Sequence, residues 1–121
     1  MQEYIEALNN RHGAYIDMII DKNVEQLRLN MKLRHESFLL FKEGIHNLVQ
    51  TGISICHIHL AQEKQQLVFT MQFDTESSDI QQLNNLFHRH DMEKRIDSMN
   101  AEMDVQVHKN STMVVLKIPL S

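Results

Sequence analysis

Apolar positions along the chain recur at spacings that alternate between the helix and strand periods. Tyr4, Ile5 and Leu8 share one face of a helix over residues 2–11, with Gly13 as its stop. Tyr15 to Ile20 then alternates, apolar at 16, 18 and 20, and reads as a strand. Leu27-Arg28-Leu29 forms an extended link. From Met31 to Gln50 the three-and-four spacing of Phe38, Phe41, Ile45, Leu48 and Val49 predicts a long helix, closed by a C-cap at Thr51-Gly52. Cys56, Ile58 and Leu60 alternate with His57 and His59. Beyond Glu63-Lys64-Gln65, the set Leu67, Phe69, Met71 and Phe73 alternates with Val68, Thr70 and Gln72.

Ser77-Ser78-Asp79 with Gln81 resembles a capping box, opening a second helical region from 79 to about 100. Its expected core positions are Ile80, Leu83, Phe87, Ile96 and Met99. Strands over 102–108 and 112–118, joined through Lys109-Asn110-Ser111, close the chain. The order α-β-α-β-β-α-β-β predicts an α+β fold: a two-layer sandwich with a mixed, mostly antiparallel sheet and its helices on one face.

Composition narrows the function classes. The 121 residues suffice for one domain with its own core, and 42% hydrophobic with 23% charged residues is ordinary globular usage. A net charge of −4 leaves no electrostatic footprint for nucleic acid. The lone cysteine, Cys56, excludes an internal disulfide and fits a reducing, cytoplasmic setting. No apolar run approaches the roughly 20 residues of a membrane helix, so no membrane contact by this chain is expected.

One block carries a resemblance. Leu29-Asn30-Met31-Lys32-Leu33-Arg34, followed by Phe38 through Val49, is similar to the ATP-binding domain of sensor histidine kinases, in the superfamily shared with gyrase, Hsp90 and MutL. The closing Leu116-Lys117-Ile118-Pro119-Leu120 resembles that family's last strand. The resemblance implies a histidine-kinase-like ATPase sandwich over residues 1–121, residues 1–12 being the remnant of a linker to a preceding domain. It implies ATP and Mg²⁺ as cofactors wherever the nucleotide site is functional. It implies Glu43 as the catalytic residue of the first box, and Asn47 as the cofactor-binding residue that holds the metal. Phosphoryl transfer needs such a pair because it depends on positioning and on charge neutralised by metal. The two stand four apart and share a helix face with His46 and Gln50. On spacing alone, the same four residues read as the solvated face of an amphipathic helix, and it is the flanking sequence that points to the box.

The remaining boxes depart from the family's pattern. The second should read Asp-x-Gly after the second central strand; here it is Asp74-Thr75-Glu76. Strand alternation puts Phe73 at the inward position and leaves Asp74, the candidate adenine reader, on the other face unless a bulge re-aims it. Asp74 also reads simply as a strand-end turn residue. The lid glycines are missing throughout Ser77–Arg89, although Asp91-Met92-Glu93-Lys94-Arg95 resembles the family's Asn-Met-x-x-Arg run, which places His88 at a phosphate-loop glycine. The last box retains only Thr112 as a cofactor-binding candidate. Every glycine (Gly13, Gly44, Gly52) precedes these boxes, and Cβ atoms obstruct the close backbone approach that a phosphate cradle needs.

The expectation is therefore a degenerate ATPase-like domain of a two-component sensor, with weak or no ATP binding, acting through contacts with a phosphoacceptor or dimerisation helix or a response regulator. The alternative is an active ATP/Mg-binding catalytic domain. A third reading reuses the scaffold for a metal or small molecule at His57 and His59, which share a strand face. No Cys, Asp or Glu stands beside them at ligand spacing, and the plainer reading is outward polar positions on a sheet's exposed face. His90-Asp91 reads as a polar helix surface, Cys56 as a small buried hydrophobe, and the eight methionines chiefly as core filler.

Overall fold

The computed structural model describes residues 2–12, 15–29, 31–50, 55–74, 90–108 and 111–120. The features expected at Gly13, Thr51-Gly52, residues 75–89 and Lys109-Asn110 lie outside these, as do the side chains of Val49, Gln50, His90 and Asp91. The elements are α1 (Gln2–His12), β1 (Tyr15–Ile20), α2 (Lys22–Glu25), α3 (Met31–Gln50), β2 (Ile55–Glu63), β3 (Gln66–Asp74), α4 (His90–Ser98), β4 (Glu102–His108) and β5 (Ser111–Pro119). The strands form one sheet in the order β1-β2-β3-β5-β4. β1 runs parallel to β2, and every other neighbouring pair is antiparallel.

Alternation sets which residues meet the helices. Cys56, Phe73 and Thr112 form one cross-strand row, and Ile58, Met71 and Val114 form the next. All six are buried and face the helix layer, with Ile16 and Met18 extending the rows onto β1. Against them α3 presents Leu40, Phe41, Ile45 and Leu48, and the Phe41 ring stacks on Phe69 with centroids 4.2 Å apart. Ile5 and Leu8 of α1, with Met92 and Ile96 of α4, complete the same core.

The sequence places Phe38 in the apolar stripe of α3, but 36% of it is exposed. The buried line instead runs through Ser37, Leu40, Phe41, Gly44, Ile45, Asn47 and Leu48. Ser37 can occupy it because its hydroxyl donates to the Leu33 and Arg34 carbonyls of the preceding turn. α2 is also absent from the sequence reading. Its four residues have no buried side chain and so no apolar period to detect. Ser111 belongs to β5 rather than to the turn, pairing with both Asp74 and His108.

The helix ends without glycine. After α4, Asn100 takes a left-handed φ of 53°, and the Ala101 amide donates back to the Ile96 carbonyl at 3.0 Å. This is the Schellman closure with asparagine in the position where glycine is commonest. At the other end of the sheet, Asn9 of α1 both donates to the Ile16 carbonyl (3.1 Å) and accepts from the Ile16 amide (3.0 Å). β1 is an edge strand, so this side chain satisfies backbone groups that no neighbouring strand reaches.

Candidate functional site

Helix periodicity puts Glu36, Glu43 and Asn47 along one side of α3, seven and four residues apart. The element that meets this side is α4. Asn47 is 5% exposed, and its amide lies 3.8 Å from the Met92 sulfur, itself fully buried. One turn further on, Arg95 reaches across both carboxylates. Its Nη1 donates to Glu36 at 3.2 Å, and its Nε faces Glu43 at 3.6 Å as an ion pair. That Nε is buried and has no hydrogen-bond partner among the described residues. Beside it, Glu36, Glu43, Lys94, Arg95 and Ser98 line an open groove of about 510 Å³.

The other two expected residues lie on the sheet. Thr112 is 1% exposed and pairs in register with Phe73, on the face that meets the helices. Phe73 is 2% exposed and sits between Cys56 and Thr112, at the inward position that alternation assigns to it. Asp74, paired with Ser111, is exposed and belongs to the opposite face. Glu43 and Asn47 are therefore brought together under α4, Thr112 lies on the helix-facing side of the sheet, and Asp74 points away from it. No bulge re-aims Asp74: the β3–β5 register runs without interruption from Gln66 to Asp74.

Burial acts strongly on one chemical group nearby. The Cys56 thiol is pushed up to about 12, first by desolvation and next by the negative charge of Asp17, with a hydrogen bond involving the Gln72 backbone opposing them. Such a thiol stays protonated and unreactive, as the alternation on β2 implies.

His57 and His59 point outward from the sheet, and here two residues missed by the sequence reading appear. Asp17, the register partner of His57 on β1, bonds its Nδ1. Asp21 accepts from, or pairs with, His59 Nε2 at 2.8 Å, and although it precedes α2 its side chain makes no cap hydrogen bond. Both aspartates lie about forty residues away in sequence, joined only by the parallel pairing, so no local spacing could reveal them. Among the described residues no group of three or more His, Cys, Asp or Glu side chains is placed to hold a metal ion.

No family model and no curated protein matches the chain in sequence. Solved structures do match in fold. The Erythrobacter litoralis EL346 blue-light activated histidine kinase superposes with a TM-score of 0.76 at 20% identity, covering 99% of this chain and 40% of that one. The histidine kinase domain of the same protein gives 0.69 at 17% identity, covering 95% and 57%. The histidine kinase domain of the E. coli osmosensor EnvZ gives 0.67 at 14% identity, covering 99% and 83%. The chain thus spans about half the length, or less, of the two Erythrobacter structures. Among the described residues no helix is long and apolar enough to cross a membrane. The α+β sandwich inferred from the residue pattern is the fold of histidine-kinase catalytic domains.

Proposed function

We propose that this chain is a histidine-kinase ATPase-like domain of a two-component sensor that binds ATP weakly or not at all and acts through protein contacts. The observation that carries this reading is the double engagement of α3 by α4. Asn47 is buried against Met92, and Glu43 is paired with Arg95. A metal held on a triphosphate needs its asparagine ligand turned to solvent-accessible space, which the burial of Asn47 opposes. Glu43, although it lines the groove, is already engaged by Arg95. Phe73 adds to this, since a buried phenyl ring occupies the strand position of an adenine-reading carboxylate. With no glycine after Gly52, the backbone also lacks the residue type best suited to a phosphate cradle. On this reading the residues present do not fit a Mg-nucleotide. The partners would be a phosphoacceptor or dimerisation helix, or a response regulator, in a cytoplasmic setting.

The test is calorimetric titration of the purified domain with Mg-ADP and Mg-ATP, in wild type and Asn47→Ala. Silence at millimolar nucleotide is the expected result. Ligand at a hundredfold excess over Kd would stabilise the folded state by roughly 2.7 kcal/mol, so a thermal melt gives a second readout. Micromolar binding that Asn47→Ala abolishes would replace this reading with an active catalytic domain.

A further inference from the structure

We propose that β4 is the contact strand of a homodimer, pairing antiparallel with β4 of a second copy about a two-fold axis at Val105. The sheet has two edges, β1 and β4, and they are finished differently. On β1, Asn9 occupies both backbone groups of Ile16. Among the described residues no strand pairs with the far side of β4. Its seven residues, EMDVQVH, include neither proline nor lysine, and the pairing with β5 runs from Glu102 to His108 without a bulge. The devices that commonly keep an edge strand from pairing are therefore missing, apart from two acids, Glu102 and Asp104.

The strand is complementary to its own reverse, which is what makes a second copy the fitting partner. Turned about Val105, Met103 comes opposite Val107, Asp104 opposite Gln106 and Glu102 opposite His108, each twice, while the two Val105 residues meet on the axis. Met103, Val105 and Val107 pair in register with the buried Leu116, Val114 and Thr112, so they lie on the helix-facing side. There Val107 is 38% exposed, and Met103 and Val105 are only partly buried. The two-fold pairing covers all three by carrying the apolar rows into the second sheet. On the other face, the Asp104 carboxylate already accepts from Gln106 Nε2 at 2.9 Å within one copy. The second copy's Gln106 brings a further donor to it. The acids also select the register, because like charges directly opposite are destabilising. An axis at Asp104 would set that residue against itself, and an axis at Met103 would set Glu102 against Asp104. A seven-residue strand pair is a contact of the small class, below about 1,200 Å² in total, so the dimer is a weak one that forms at upper micromolar concentration.

Sedimentation equilibrium from about 10 μM to about 1 mM reads the association, in variants first shown by circular dichroism to be folded. Wild type is expected to pass from monomer to dimer across this range. Gln106 is exposed, so Gln106→Glu leaves the fold intact while setting carboxylates opposite each other at two places, and association should weaken about tenfold. Adding Asp104→Lys to that variant restores opposite charges across the axis and should restore the dimer. Register is read separately with Val105→Cys, which brings two thiols together on the axis and is expected to link two copies under mild oxidation. In Glu102→Cys the thiols stand far beyond the Cα separation of about 7 Å that a disulfide can span, and no link should form. The buried Cys56 stays out of either reaction. Wild type that remains monomeric throughout overturns the proposal, as does association indifferent to Gln106→Glu, or Glu102→Cys linking as readily as Val105→Cys. Should Gln106→Glu fail to fold, the cysteine comparison decides alone.

Discussion

Replacing Phe73 by aspartate asks directly whether a nucleotide pocket exists behind β3. In wild type the ring is 2% exposed, in a row with Cys56 and Thr112. Truncating a phenylalanine in such a place costs about 3–5 kcal/mol. The aspartate adds a further penalty, because a buried carboxyl must either lose its hydration as an anion or take up a proton. The sum, upwards of about 5 kcal/mol, is comparable with the whole stability of a typical domain, about 5–15 kcal/mol. Urea denaturation followed by circular dichroism measures it. The pH dependence carries its own signature. Burial raises the carboxyl's folded pKa above its unfolded value, so the folded state holds more protons and its deficit shrinks as pH falls from 7 towards 4. If Phe73→Asp stays within about 1 kcal/mol of wild type at pH 7, position 73 faces solvent or a pocket and the packing argument is wrong. If that variant also gains Mg-ADP binding, the nucleotide site was open all along.

Asn9→Ala removes two hydrogen bonds from the Ile16 backbone, and about 1–3 kcal/mol of stability should go with them. A melting temperature unchanged within a degree would mean that water satisfies this edge equally well. Cys56 should resist iodoacetamide at pH 8 in the folded protein, where a thiol near 12 is thiolate in about one molecule in ten thousand, and react readily in urea. Because the folded pKa is the higher one, stability contributed by this thiol should be intact below pH 9 and fall as pH rises from 9 towards 12, measurable by denaturation at stepped pH. Phe41→Ala should destabilise by about 3–5 kcal/mol, since the ring is buried and stacked on Phe69; a loss under 1 kcal/mol in urea would show that the core repacks around it.

The sheet was readable in the sequence because a strand's period of two assigns faces without knowledge of its partners. Leu67, Phe69, Met71 and Phe73 are all buried, and Asp74 falls on the far side as counted. The helices were readable in extent more than in orientation. Phe38 is apolar at the right spacing yet stands at the margin of α3, while Ser37 takes a buried place through hydrogen bonds that no hydrophobicity pattern records. Of the site, Glu43 and Asn47 were visible as a pair. Their engagement by Arg95 and Met92 was not, because it joins residues 45 or more positions apart and depends on how α4 crosses α3. The aspartates on His57 and His59 escaped for the same reason, since parallel pairing links segments with no local signature.

The Asn9 side chain also bears on the order in which the fold assembles. It reaches Ile16 across only seven residues, whereas the pairing of Ile16 with Cys56 must close a loop of forty. Loop closure favours the short contact first, so α1 and β1 can associate while β2 is still distant. Once Asn9 has occupied the backbone groups of Ile16, one flank of the strand is closed to any incoming chain at that point. β2 then meets a strand with only its inner flank open, and a clasp from α1 steers the parallel pairing of β1 with β2.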